Sequence, residues 1–153
     1  MNGAADGALL LDVNLLIALF DPAHVHHDLA HDWFEDNRAR GWATCSATEN
    51  GFLRVLSNPA YPGGGTRCET LVGLLKKFRA SGHHHYWADA VSLADPSLFN
   101  VTWLRGHRQV TDVHLLGLAW TMRGRLATFD RTIPWKAIVG GQPELLEVIS
   151  PAD

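Results

Sequence analysis

The 153-residue chain is poor in cysteine: Cys45 and Cys68 are the only two. Neither belongs to a Cys-x-x-Cys pair, and a chain of this length buries enough apolar surface to hold together without a covalent staple. The expectation is a reduced, intracellular protein, with a Cys45–Cys68 disulfide as the alternative. Long apolar runs are also missing. The stretch from Leu9 to Phe20 is interrupted by Asp12 and Asn14, and it falls short of the roughly 20 residues a membrane helix needs. The opening Met-Asn-Gly-Ala-Ala-Asp-Gly has none of the basic residues that begin a secretory signal. Nor is there an excess of positive charge, since 13 Lys and Arg against 16 Asp and Glu give a net charge of -3. Contact with nucleic acid would have to come from a local patch or from a metal bridging phosphates. Without repeats, heptads, low-complexity tracts or a long linker, residues 1–153 read as one domain.

What is present is an alternation of short apolar strands and amphipathic helices. Residues 8–13 suit a buried central strand with a carboxylate at its end, and 15–20 a short helix stopped before Pro22. Residues 26–40 carry Leu29, Ala30, Trp33 and Phe34 at helical spacing, ending near Gly41. Strand 42–45 follows. Ser46 then reads as the N-cap of a helix, with Glu49 at capping-box spacing, and Thr66 with Glu69 repeats the pattern for a second helix that Gly82 ends. Residues 85–87 suit a third strand. After an irregular stretch, 111–123 is an apolar helix with Gly124 just beyond it, 126–130 is a strand closing on an acid, and 145–149 is a last edge strand. Strands alternating with helices predict an α/β fold with a parallel sheet.

Four acids stand where such a sheet places its ligands. Asp12 and Asp130 close predicted strands, and Glu49 and Asp112 lie in the first turns of helices. Clustered carboxylates repel one another and are stable as anions mainly around a divalent cation. An all-oxygen donor set favours Mg²⁺ or Mn²⁺, and Mg²⁺ completes its shell with waters and phosphate oxygens, which suits phosphodiester cleavage. Each acid also has a structural explanation, as a helix-dipole partner for Glu49 and Asp112 or a turn residue for Asp12 and Asp130.

Four segments, in order, carry a resemblance: Leu-Leu-Leu-Asp12-Val-Asn14-Leu-Leu-Ile-Ala-Leu, Ser-Ala-Thr-Glu49-Asn-Gly-Phe-Leu-Arg54, Val-Thr111-Asp112-Val-His-Leu-Leu-Gly-Leu-Ala and Leu-Ala-Thr128-Phe-Asp130-Arg131. Together they resemble the PIN-domain VapC toxins of type II toxin–antitoxin pairs, over roughly residues 8–149. The resemblance implies a PIN-like three-layer fold with a parallel five-stranded sheet flanked by helices. It makes Asp12, Glu49, Asp112 and Asp130 the metal ligands, with Asn14 and Thr128 orienting them. It implies a Mg²⁺-dependent endoribonuclease, Mn²⁺ substituting, in which a metal-activated water cuts single-stranded or looped RNA to leave a 5′-phosphate and a 3′-hydroxyl. It further implies a VapB-like antitoxin partner, a cytoplasmic location and a homodimer, for which the helices around 46–57 and 66–80 could supply the face.

Other residues leave alternatives open. Arg54 suits an antitoxin carboxylate, a substrate phosphate or a structural salt bridge. Arg105, His107, Arg108 and Arg131 flank the acids and form either the missing basic patch or ordinary solvated surface. His83, His84 and His85 are a polar entry to a strand, or metal ligands, of which at most His83 and His85 share a face. Trp33 and Trp120 read as core, whereas Trp87, Trp103 and Trp135 are candidates for RNA or partner contact. Two rival functions remain: a silent PIN-like module that only binds RNA or protein, and a haloacid-dehalogenase-like phosphatase. The latter needs a second Asp two residues after the first, where this chain has Asn14.

Overall fold

Three successive leucines form the central strand β1 (Leu9–Leu11), and all three are fully buried. Their alternation sets the layers. Leu10 packs with Ala43, Val113, Leu116 and Leu126 on one face, whereas Leu9 and Leu11 join Leu15, Phe34, Phe52 and Leu75 on the other. The computed structural model describes residues 7–151. The opening stretch lacking a leader's basic residues thus lies, apart from Gly7, outside the described residues.

The remaining elements are α1 (Val13–Phe20), α2 (His27–Asn37), β2 (Trp42–Thr44), α3 (Ser46–Ser57), α4 (Cys68–Arg79), β3 (His84–Tyr86), α5 (Val110–Thr121), β4 (Arg125–Thr128) and β5 (Leu146–Val148). All strand pairs are parallel, in the order β3-β2-β1-β4-β5. This is the three-layer parallel α/β arrangement expected from the sequence, with α1 to α4 contributing to one core and α5 to the other. The chain steps outward from β1 to β3 and then returns to place β4 on the opposite side of β1. That reversal opens a crevice beyond the carboxyl ends of β1 and β4, where α/β sheets bind ligands.

Several local expectations shift. The N-cap of α3 is Cys45, not Ser46, because the Thr48 hydroxyl accepts the Cys45 N–H at 3.0 Å while Glu49 is drawn to other partners. The N-cap of α4 is Arg67, not Thr66, and Glu69 pairs with the Arg67 guanidinium at 3.4 Å instead of closing a capping box. Beyond α5 the left-handed residue is Arg123 (φ 59), not Gly124. Gly124 answers a different demand: a Cβ there would stand 2.3 Å from the Ala8 carbonyl oxygen and 2.6 Å from the Trp87 ring.

The tryptophans also divide differently. Trp87 is core, 2% exposed, and its backbone N–H donates to the Thr44 carbonyl, so it is not a contact residue. Trp120, expected in the core, is 37% exposed. Trp33 is half-buried, its indole N–H donating to Glu147 at 3.2 Å. Cys45 is buried and Cys68 exposed, both as free thiols, which removes the disulfide alternative. Among the described residues no helix is long and apolar enough to cross a membrane.

Candidate metal centre

Asp12 follows the last residue of β1 and caps α1, accepting the Asn14 backbone N–H at 3.4 Å. Its other carboxylate oxygen accepts the Thr128 hydroxyl at 2.7 Å, across the junction of β1 and β4. Thr128 is 1% exposed, and the same hydroxyl oxygen accepts the Asp130 N–H at 3.0 Å. One buried hydroxyl therefore ties two of the acids to the two central strands. Asn14 touches Asp12 through its backbone, while its side chain lies on the exposed side of α1.

Asp130 sits two residues beyond β4 and also holds its own turn, its Oδ1 accepting the Thr132 N–H at 2.8 Å and hydroxyl at 2.6 Å. The turn and site explanations thus apply to the same side chain. Asp112 lies in the first turn of α5. Burial, followed by the charges of Asp12 and Asp130, pushes its pKa up to about 6. Asp12 is also raised, chiefly by burial and in smaller part by Asp130, against the lowering effect of its hydrogen bonds. Three aspartates from distant parts of the sequence thus sense one another at the switch point.

Glu49 is differently engaged. It lies in the first turn of α3, and its carboxylate accepts the Thr44 hydroxyl at 2.6 Å and pairs with Arg79 at 3.4 Å. Since Thr44 spends its proton on Glu49, the 2.8 Å contact between Thr44 Oγ1 and His84 Nε2 requires the imidazole to donate. Burial, with Arg79 next, holds His84 down at about 4, so it is a neutral donor at ordinary pH. Thr44 and Arg79 were not singled out from the sequence, and His84 was noted only as part of a histidine run at a strand entry. Thr44 has a weak local signal, a polar residue near the end of an apolar strand, whereas nothing local marks Arg79, in the last turn of α4. His83 leads into β3 while His84 and His85 belong to it, and His84, the middle member of the run, is the one that touches the site's neighbourhood.

Among the described residues, no three His, Cys, Asp or Glu side chains are disposed to hold an ion together as they stand. The donor chemistry nonetheless fits a hard divalent cation. It is all oxygen, and the like charges that raise Asp112 are the repulsion a cation would relieve.

The basic residues are distributed unevenly. Arg54 is exposed on α3 and, among the described residues, has no ion pair, which removes the salt-bridge alternative. Arg105 and Arg131 line a cleft with Trp103, Trp135 and Lys136, whereas Arg108 and His107 stand on the exposed turn before α5. His114, two residues after Asp112, bonds Asp89 at 2.7 Å.

No protein-family model matches the chain. Several curated proteins do. Ribonuclease VapC44 of Mycobacterium tuberculosis is 39% identical over 140 residues, covering 92% of this chain and 98% of the relative. Ribonuclease VapC38 of the same organism is 46% identical over 121 residues, 79% of this chain and 84% of the relative. Ribonuclease VapC39 is 39% identical over 140 residues, with 92% and 98% covered.

Proposed function

We propose, from the premise that the chain belongs to the VapC ribonuclease family, that it is a Mg²⁺-dependent endoribonuclease, the toxin of a toxin–antitoxin pair. The observation that carries this reading is the set of three aspartates, Asp12, Asp112 and Asp130, at the switch point between β1 and β4. Asp12, Asp112 and Asp130 are the residues that would hold Mg²⁺ or Mn²⁺, with Glu49 as the fourth acid. When bound, the cation supplies neutralising charge and activates water for attack on a phosphodiester.

The chain's own residues prepare that site. Thr128 fixes one Asp12 oxygen and, through the Asp130 backbone, the turn that carries the third acid. Asp112 is half-buried and its pKa is pushed up to about 6 by burial and by Asp12 and Asp130, a repulsion that a cation would relieve. Arg79 and Thr44 orient the Glu49 carboxylate through an ion pair at 3.4 Å and a hydrogen bond at 2.6 Å. Fixed carboxylates of this kind cost little reorganisation when substrate arrives.

In the cell, such a protein works in the cytoplasm as a single domain and is silenced by a VapB-like antitoxin that covers the acids, with Arg54 and Arg108 as further contacts. A homodimer through α3 and α4 fits the partly exposed Leu74, and light scattering checks it.

The test is incubation of antitoxin-free protein with cellular RNA and Mg²⁺ or Mn²⁺, beside EDTA and Asp112→Asn controls. The expected result is cleavage that leaves 5′-phosphates and is lost in both controls. Cleavage that persists in both sinks the proposal, and RNA binding without cleavage under any metal makes the protein a silent binding module.

A further inference from the structure

Beside the acid site is a cleft of about 490 Å³ whose lining contains no carboxylate. We propose that this cleft, walled by Trp103, Arg105, Gln109, Arg131, Trp135 and Lys136, is a subsite for unpaired nucleotides of an RNA strand. The inference rests on the ribonuclease reading and names the part of the substrate that flanks the cut.

Three observations converge. The first is position. Arg131 follows Asp130 directly, and Thr132, also in the lining, donates both its N–H and its hydroxyl to Asp130. On the other wall Gln109 is the residue before α5, whose first turn carries Asp112, and its Oε1 accepts the Arg105 N–H at 2.8 Å. Both walls are thus built from the segments that hold two of the acids.

The second is charge. A chain with a net charge of -3 concentrates three cations here. Among the described residues, Arg105, Arg131 and Lys136 make no ion pair. A polyanion passing the acids needs such groups on its flank, because the carboxylates themselves repel it.

The third is the pair of indoles. Lys136 Nζ stands 5.2 Å from the Trp103 ring centre and 5.7 Å from that of Trp135, and Trp103 is 39% exposed. A phosphate in the cleft offers Lys136 a charged partner in place of the rings, and an indole face so released can stack on a base. Only a base free of its own duplex stack presents a face, so the occupant is single-stranded or looped RNA. An acidic peptide would satisfy the cations but gives the indoles no flat partner.

The test measures binding without cleavage. Fluorescein-labelled ten-nucleotide oligo-U and oligo-A, alone and annealed to complements, are titrated in EDTA against the wild type, Trp103→Ala, Lys136→Ala and an exposed control on α4, Lys76→Ala. Melting curves confirm that each variant is folded. We expect single strands to bind in preference to duplex, about tenfold weaker binding in Trp103→Ala and Lys136→Ala, and no change in Lys76→Ala. The logarithmic salt slope should fall by about 0.7 in Lys136→Ala, one phosphate contact's share for a single strand. Undetectable wild-type binding, equal binding of duplex, or cleft variants that bind like the wild type each overturn the subsite. Displacement of the oligonucleotide by an equimolar oligo-glutamate peptide overturns it as well and assigns the cleft to an acidic protein segment. Because the assay needs no metal, the subsite can fail while Mg²⁺-dependent cleavage stands, or hold while cleavage is never found.

Discussion

At the scale of single residues, Asp112 carries the sharpest expectation. Its pKa is raised to about 6 from 3.8, so the folded state holds its proton more tightly than the unfolded chain does. The contribution from this group is fully present below about pH 4 and is lost as the pH rises through about 6. Metal-free protein should therefore lose stability over that window, and Asp112→Asn should flatten the loss, melting a few degrees above the wild type at pH 7 in EDTA while cutting no RNA. An unchanged melting temperature at pH 7 would mean that the aspartates do not strain one another. Thr128 makes the opposite case. Thr128→Val strands a buried Asp12 oxygen and removes the partner of the Asp130 N–H, which costs about 1–3 kcal/mol by denaturant titration, whereas Thr128→Ser should keep most of the stability. The acids were legible in the sequence because each sits at an element's end, a place set by local pattern. The environment of Glu49 was not, because Arg79 reaches it from α4 and His84 acts through Thr44 from β3, and no local pattern encodes which neighbouring element turns a side chain.

At the scale of elements, strands and helices followed from apolar spacing, but their ends did not. Ser46 and Thr66 are favoured cap residues by type, yet the backbone turns one residue away from each, at Cys45 and Arg67. Cap preferences of about 1 kcal/mol are outweighed by how a helix must start to lay its apolar face on the sheet. Helix α5 shows the same priority. Gly117 lies in its middle, where glycine is costly, because a Cβ there would come within 2.1 Å of the Phe99 ring. Gly117→Ala should gain helix propensity and still destabilise the protein by about 1–3 kcal/mol, measured by urea denaturation. A neutral or stabilising result would show that Phe99 has room to move. At Arg123, whose φ of 59 suits glycine, Arg123→Gly should be neutral or stabilising by up to about 1 kcal/mol.

At the scale of the whole molecule, the strand order decides more than any motif. The order β3-β2-β1-β4-β5 brings Asp12 and Asp130 to one crevice and leaves α1 to α4 and α5 on opposite faces. Parallel pairing was legible from the alternation of elements, but the side on which β4 joins β1 was supplied only by the three-dimensional arrangement. A cation that binds the folded state alone stabilises all of it. At a hundredfold excess over its dissociation constant, Mg²⁺ should add about 2.7 kcal/mol, roughly 5–10 °C in Tm at pH 7. The gain should shrink at pH 5, where Asp112 must first release its proton, and a Tm indifferent to Mg²⁺ at both pH values would count against the metal centre. The hydrogen bond from Thr128 to Asp12 joins residues 116 positions apart, and β4 is the fourth strand to be made. An amino-terminal fragment that stops before β4 can hold β1, β2 and β3 with their helices but lacks the hydroxyl that fixes Asp12 and lacks Asp130 altogether. On the proposed site, a nascent chain is thus expected to leave the RNA around it uncut until β4 emerges, with most of the protein already made.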